Sequence, residues 1–351
     1  HSFNFAVPKH LYKKSHPEYF VKINGKRQPE YGPGGGHLCI SNPEVQELMM
    51  KELEKQYDAG FKWVELGATD GGIRCQCDKC RALAKNGYGD ALWIVFRKIA
   101  EQMKKRRPGL KVVCVAYYDT RKPPKSFNKF PDNVIIEMTS WDDWPGTFAK
   151  WKNIKVPKIA YIYNWGEYHN TLFCPKRSPQ FLAKQLRLFD KNDVVGIFKC
   201  YMGEALGLDG PAYYVYSKLL FDPYADPEKL ADDFYRAAYG KAYAPMKRFF
   251  TAIYNNLDYK DGSSKVDVLR RQKYKDPDIE IRYLFPSHFV KYLEKVLNHA
   301  LRLDKSPKVQ ARLKLIKREL DYLKNLVEIY ACSDAYNMTH SPEAFKLLDA
   351  A

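Results

Sequence analysis

Short apolar runs of strand length recur along the first two hundred residues with helical segments between them, and that alternation restricts the fold more than any other feature of the sequence. Six runs stand out: His37–Ser41 (HLCIS), Trp63–Ala68 (WVELGA), Lys111–Tyr117 (KVVCVAY), Val134–Thr139 (VIIEMT), Ile159–Asn164 (IAYIYN) and Val195–Tyr201 (VGIFKCY). Strand-length runs alternating with helices are the pattern of a parallel sheet built from βα units. The helices announce themselves. Asn42 is placed to cap a helix that Pro43 opens, and Val45, Leu48, Met49, Leu53 and Tyr57 follow at helical spacing. Leu92, Phe96, Ile99 and Met103 form a second stripe before Pro108-Gly109, and Ser178-Pro179 opens a third helix carrying Phe181, Leu182, Leu186 and Phe189.

After Asp222-Pro223 the strand pattern stops. Asp226-Pro227 caps a helix carrying Leu230, Phe234 and Ala237; Phe289, Tyr292, Leu293, Val296 and Leu297 mark another, and Leu313, Ile316, Leu320, Leu323 and Val327 a third. The polar stretch Asp258–Asp278 reads as a loop. The expected organisation is a (β/α) barrel catalytic-type domain over residues 1–223 and an α-helical C-terminal region over residues 224–351 packed on it.

Six βα units allow an open doubly wound sheet or a barrel. A doubly wound sheet normally carries a glycine-rich phosphate loop after a strand, and none follows any of the six runs. The α/β fold expected is therefore a (β/α)8 TIM-barrel-type domain. Such a barrel needs eight strands, and the first 35 residues hold no convincing pair, so the other two strands are expected to precede His1 in a longer parent chain or to be contributed in some way the sequence does not show.

Composition narrows the function classes. With 45% apolar and 15% aromatic residues the chain has the makings of a packed core, and no apolar stretch approaches the roughly 18 residues of a membrane span. A signal peptide is absent or already removed, since HSFNFAVPKHLY has no basic segment followed by an apolar run. The net charge of +17 invites a nucleic-acid reading, but the basic residues alternate with acids on helix-like stretches such as QARLKLIKREL, as on solvated faces. Nucleic acid is not the expected partner; an acidic glycan, or solubility alone, accounts for the charge. The sequence does not specify an oligomeric state.

Barrel enzymes carry their chemistry at the C-terminal ends of the strands. Reading the residues that leave each run gives Asp70 (GATDGG), Asp119 (AYYDT), Asp142 and Asp143 (TSWDDW), Glu167 (YNWGEYHN) and Glu204 (CYMGEALG). Tyr117, Tyr118, Trp141, Trp144, Tyr163, Trp165, Tyr168 and Tyr201 accompany them. Carboxylates interleaved with aromatic faces suit carbohydrate, whose CH faces stack on rings and whose hydroxyls want charged acceptors. The plainer reading makes each acid a helix cap and each ring core. There is no G-x-S-x-G elbow, H-E-x-x-H helix or Walker loop to support another catalytic system.

The stretch TDGGIRCQCDKC places Asp70 at the strand end, two glycines after it, and then Cys75, Cys77 and Cys80. Cys39, in the preceding run, is the natural fourth member of the group. Four thiols are equally suited to a structural zinc site and to two disulfides, and in either case they stiffen the loop that presents Asp70 rather than act as nucleophile.

Five ordered motifs, HPEYFVKINGKR, LCISNPEV, TDGGIRCQCDKCRAL, LKVVCVAYYDTRKPP and LGLDGPAYYVYSKLLFDP, resemble the bacterial domain catalogued as domain of unknown function 4838, members of which founded glycoside hydrolase family 163. The resemblance implies a (β/α)8-type hydrolase from glycan-degrading bacteria, secreted, at the cell surface or periplasmic, with endo-β-N-acetylglucosaminidase activity on N-glycans. It implies no catalytic cofactor and a retaining, substrate-assisted route: the 2-acetamido oxygen attacks the anomeric carbon, one carboxylate orients the amide and a second protonates the leaving oxygen. If the sixth run is strand eight, Asp70 follows strand four and Glu167 strand seven. Glu167, flanked by Trp165 and Tyr168, is then the general acid, Asp70 the ionised partner and Glu204 the reserve acid, with Tyr117, Tyr118, Asp119, Trp141, Trp165, Tyr168 and Tyr201 binding substrate. The alternative is a glycan-binding or structural module that keeps the scaffold without the chemistry.

Overall fold

The computed structural model describes residues 1–140, 143–164, 177–200, 207–257, 284–343 and 346–347. They form two compact units, His1–Ile162 with Lys191–Phe198, and Tyr163–Asp190 with Lys199–Ala351.

The first unit begins with two single-turn helices and an antiparallel hairpin, β1 (Lys22–Ile23) and β2 (Lys26–Arg27). The two residues between them, Asn24 and Gly25, both have positive φ, +49° and +80°. An Asn-Gly pair with both residues left-handed is the turn whose twist matches two paired strands. The main sheet follows: β3 (Trp63–Leu66), β4 (Lys111–Ala116), β5 (Val134–Thr139), β6 (Lys158–Ile162) and β7 (Val194–Lys199), hydrogen-bonded in that order. The registered pairs β3·β4, β4·β5 and β5·β6 are all parallel. Among the described residues the order never reverses, so these strands are singly wound and show none of the switch points that a doubly wound sheet requires. Five of the six apolar runs are thus strands of one mixed α/β unit.

His37–Ser41, expected to be the first strand, is not one. Its backbone makes an isolated antiparallel bridge, Leu38 opposite Phe20, with Val21 N donating to His37 O at 2.9 Å and Cys39 N to Tyr19 O at 2.8 Å. The run is apolar because it lies in the core, with His37, Leu38, Cys39 and Ile40 all buried. Burial imposes the same composition on a short core segment as on a parallel strand.

The helices pack where the apolar stripes predict. Pro43–Asp58 buries Val45, Met49 and Leu53, and Tyr88–Arg106 buries Leu92, Phe96, Ile99 and Met103. Asn42 caps the first by accepting from Glu44 N at 2.9 Å. Every residue of β5 is buried, while β7 is half exposed along its length, so the core is centred on the middle strands.

The registers put Trp63 and Glu65, Val113 and Val115, Ile135 and Glu137, and Ile159 and Tyr161 on one face of the sheet. Tyr161 stacks on Phe198 of β7, ring centroids 4.7 Å apart. A Cβ added at Gly196 of β7 would stand 3.6 Å from the Trp63 ring of β3. The Trp63 ring of the first strand therefore reaches the backbone of the fifth across this face, which makes it concave, as the inner face of a curling sheet is.

The second unit is helical: Pro179–Asp190, Gly210–Leu219, Pro227–Tyr239, Tyr243–Leu257, Ser287–Leu303 and Pro307–Thr339. Leu313, Ile316, Leu320, Leu323 and Val327 are buried as expected. The helix Pro227–Tyr239, by contrast, buries Ala231, Tyr235, Ala238 and Tyr239, while Leu230 and Phe234 are half-buried and Ala237 is exposed. The tyrosines decide the face: Tyr235 stacks on Phe250 at 5.5 Å, and an aromatic ring outweighs an alanine in apolar area. Two adjacent amides, Gly207 N and Leu208 N, donate to the buried Glu319 carboxylate at 2.9 and 2.7 Å.

Candidate functional site

The ends of β3 and β4 supply the site. Beyond β3 the chain runs Gly67-Ala68-Thr69-Asp70-Gly71-Gly72, with φ of +98° at Gly71 and +64° at Gly72. These angles are open to glycine and strained for other residues. They turn the chain so that Asp70 is exposed at the strand end while Thr69, its Oγ1 donating to Asn4 Oδ1 at 2.9 Å, stays buried. Gly71 N donates to Asp70 Oδ1 at 2.9 Å.

Beyond β4 come Tyr117, Tyr118 and Asp119. Tyr118 has φ of +47°, an unusual conformation for an aromatic residue, and its half-exposed ring lies over Gly72, where an added Cβ would sit 3.5 Å from Tyr118 Cγ. Tyr117 and Tyr118 have ring centroids 4.3 Å apart. Asp119 is held by Arg74, Nε to Oδ2 at 2.9 Å and Nη2 to Oδ1 alongside it, in a two-pronged ion pair. The loops after two adjacent strands are thus joined by a ring on a glycine and by a guanidinium on a carboxylate.

Beneath them lies a cleft whose walls include His37, Thr69, Ile73, Tyr117, Tyr118 and Asp119. His37 Nε2 is 3.3 Å from Pro33 O, and burial holds the imidazole below its ordinary pKa, so it is neutral at neutral pH.

Cys39, Cys75, Cys77 and Cys80 converge as expected from the sequence. All four are buried free thiols whose sulfurs lie within 4.8 Å of one another, a group able to hold a metal ion. Hydrogen bonds from Cys75 and Cys80 hold the Cys39 thiol below the ordinary range.

Of the residues expected from the sequence, Asp70, Tyr117, Tyr118, Asp119 and the four cysteines are brought together in the first unit. Glu167, Glu204, Trp141, Trp165, Tyr168 and Tyr201 lie outside the described residues, as does Asp142. Asp143 caps the helix Trp144–Trp151, its Oδ1 accepting from Gly146 N at 2.9 Å, which is the plainer of the two roles open to it.

Sequence reasoning passed over two groups. Arg74 is one; nothing local in GGIRC announces a partner 45 residues away. The other is Glu137, buried on the concave face, its carboxyl pushed up to about 7 by burial and then by the neighbouring charge of Glu65. An acid inside VIIEMT was the available signal, because an ionisable group in a buried strand is costly and needs a reason.

Residues 1–251 match the model of the family described as Domain of unknown function (DUF4838). The chain belongs to that family. None of the curated proteins compared with it matches. Among solved structures this DUF4838 chain is similar to a mutant of the Thermobaculum terrenum O-GlcNAc hydrolase, at 12% identity and a TM-score of 0.49, with 89% of this chain and 69% of that one covered. It is also similar to a β-N-acetylhexosaminidase from Bacteroides fragilis NCTC 9343, at 14% identity and a TM-score of 0.37, covering 62% of this chain and 43% of that one. A third similar structure is CpGH84B, at 14% identity and a TM-score of 0.44, with 92% and 59% covered. The DUF4838 chain therefore spans less than two thirds of the length of two of these three.

Proposed function

We propose that this DUF4838 chain carries the catalytic part of a glycoside hydrolase of the family 163 kind, cleaving N-acetylglucosamine linkages in glycans from within the chain. The observation that carries the reading is the shared edge of β3 and β4. There an exposed carboxylate, Asp70, and an exposed aromatic face, Tyr118, are presented by loops fastened to each other, above a cleft lined by His37, Ile73 and Tyr117. A sugar stacked on Tyr118 would present its substituents to Asp70.

In this reading the acetamido oxygen of the substrate attacks the anomeric carbon while Glu167 gives its proton to the departing oxygen. The Asp70 carboxylate orients the acetamido N–H, and water then opens the cyclic intermediate with net retention. Glu204 is the reserve acid. The four thiols take no part in bond breaking. The site works outside the cytoplasm, where such glycans are met.

Product analysis after incubation with a mixed glycoprotein digest tests the activity. A released oligosaccharide with N-acetylglucosamine at its reducing end supports it; tight glycan binding with no product shows a binding module instead. For the roles, Glu167→Gln lowers turnover by about 10²-fold or more and recovers on a substrate with an activated leaving group, whereas Asp70→Asn does not recover. Equal losses on both substrates refute the assignment.

A further inference from the structure

The group of four thiols has a more specific shape than a cysteine-rich patch. Cys39 Sγ lies 3.6 Å from Cys77 Sγ and 3.8 Å from Cys80 Sγ. A disulfide needs about 2.05 Å between sulfurs. Four sulfurs about 2.3 Å from one centre at tetrahedral angles are about 3.8 Å apart, which is the edge of a zinc tetrathiolate. The sequence left zinc and two disulfides open, and these separations fit zinc.

The surroundings of the sulfurs fit as well. Lys22 N donates to Cys75 Sγ at 3.3 Å, and Arg27 Nη1 lies 3.8 Å from the same sulfur while also donating to Phe20 O at 2.6 Å. Ser41 Oγ is 3.1 Å from Cys80 Sγ and 3.7 Å from Cys77 Sγ. A zinc ion with four thiolates carries a net charge of about −2, and donors and a guanidinium around the sulfurs are what such a buried anion needs. Soft thiolate ligands in a tetrahedral set select zinc or iron over calcium or magnesium.

The position of the cluster gives it a task. Cys75 directly follows Arg74, the residue that grips Asp119, and Gly72, under the Tyr118 ring, lies two residues before Arg74. The hairpin β1–β2 fastens the same loop from the other side, Gln76 N donating to Lys22 O at 2.8 Å and Asn24 N to Gln76 Oε1 at 3.0 Å. We propose that Cys39, Cys75, Cys77 and Cys80 bind one zinc ion, and that this ion is the clasp holding the Asp70–Arg74 loop against Tyr118 and Asp119. The metal site stands by itself; its consequence for glycan binding rests on the glycosidase reading above.

Elemental analysis and native mass spectrometry of the purified chain test the first part. About one equivalent of zinc, released by a mercurial reagent and replaceable by cobalt with the absorption of a tetrahedral thiolate site, is the expected result. One equivalent of iron, no metal, or an intact mass about 4 Da low from two disulfides overturns it. Cys77→Ser loses the ion, and because it also risks the fold, Arg27→Met is the companion: it weakens zinc affinity about 10- to 100-fold while keeping all four ligands. Hydrogen exchange tests the second part without any glycan. Removing zinc speeds exchange of the Gly71–Arg74 amides at least about tenfold in a chain whose β4–β5 amides stay protected; unchanged exchange refutes the clasp. Glycan binding that is absent even with zinc bound and the loop protected counts against the glycosidase reading and leaves the metal site standing.

Discussion

Replacing Glu137 with glutamine should make the protein more stable at neutral pH and above, and the size of the gain follows from where the residue sits. Glu137 is 8% exposed on the concave face of β5, and its register partners are Val115 and Ile159. Burial, reinforced by the Glu65 charge, moves its carboxyl from 4.5 to about 7. Between those values the folded protein keeps a proton that the unfolded chain has released. The contribution to stability is therefore whole below about pH 4.5, falls as pH rises through 7, and is lost above it. At about 1.4 kcal/mol per pH unit, the gap corresponds to roughly 3 kcal/mol. Glutamine keeps the shape and does not titrate, so the stability of Glu137→Gln minus that of the parent should grow by about 3 kcal/mol between pH 4.5 and pH 8. Urea denaturation of both proteins at half-unit intervals of pH measures it, and only the change with pH matters, since any fixed cost of the amide cancels. A difference independent of pH, or one that shrinks as pH rises, would show that the carboxyl is ionised and solvated in the fold.

Three further outcomes follow from contacts described above or beside them. Asn42→Ala removes the cap on Glu44 N and should cost about 1 kcal/mol in denaturant unfolding, with Asn42→Asp nearly neutral. Burial pushes the Asp90 carboxyl up, but hydrogen bonds from Ser126 and from Lys125 N outweigh it and hold it below its usual range. Asp90→Asn should therefore destabilise at neutral pH by about 1–3 kcal/mol, with the deficit closing as pH falls through the depressed carboxyl pKa, read from unfolding midpoints. Arg74→Ala should cost under about 1 kcal/mol of stability, because the Arg74–Asp119 pair is largely solvated on the arginine side, yet weaken glycan retention at least about fivefold in affinity electrophoresis.

The middle strands β4 to β6 were legible because a parallel strand buried on both faces must be apolar nearly throughout, and β5, VIIEMT, is buried at every position. The same rule misled at HLCIS, since a segment crossing the core is equally apolar without joining the sheet. Helix starts were legible at Asn42-Pro43 and Asp226-Pro227, where capping is local chemistry. The buried face of Pro227–Tyr239 was not, because it is set by the Phe250 ring on another helix. At the site, Asp70, Tyr117, Tyr118 and Asp119 could be read from their places after strands, and the four thiols from their spacing. The Arg74–Asp119 pair joins positions 45 residues apart, and no local pattern encodes such a partner.

The chain passes between its two units three times, after Ile162, after Asp190 and after Phe198. The helix Pro179–Asp190 thus belongs to one unit although the strands on either side of it, β6 and nearly all of β7, belong to the other. No single cut in the gene yields both units intact: ending at Ile162 deletes the fifth strand, and ending at residue 251, where the family match stops, severs the helix Tyr243–Leu257. Neither piece can be lifted out as a cassette, and recombination between relatives would have to exchange the two together.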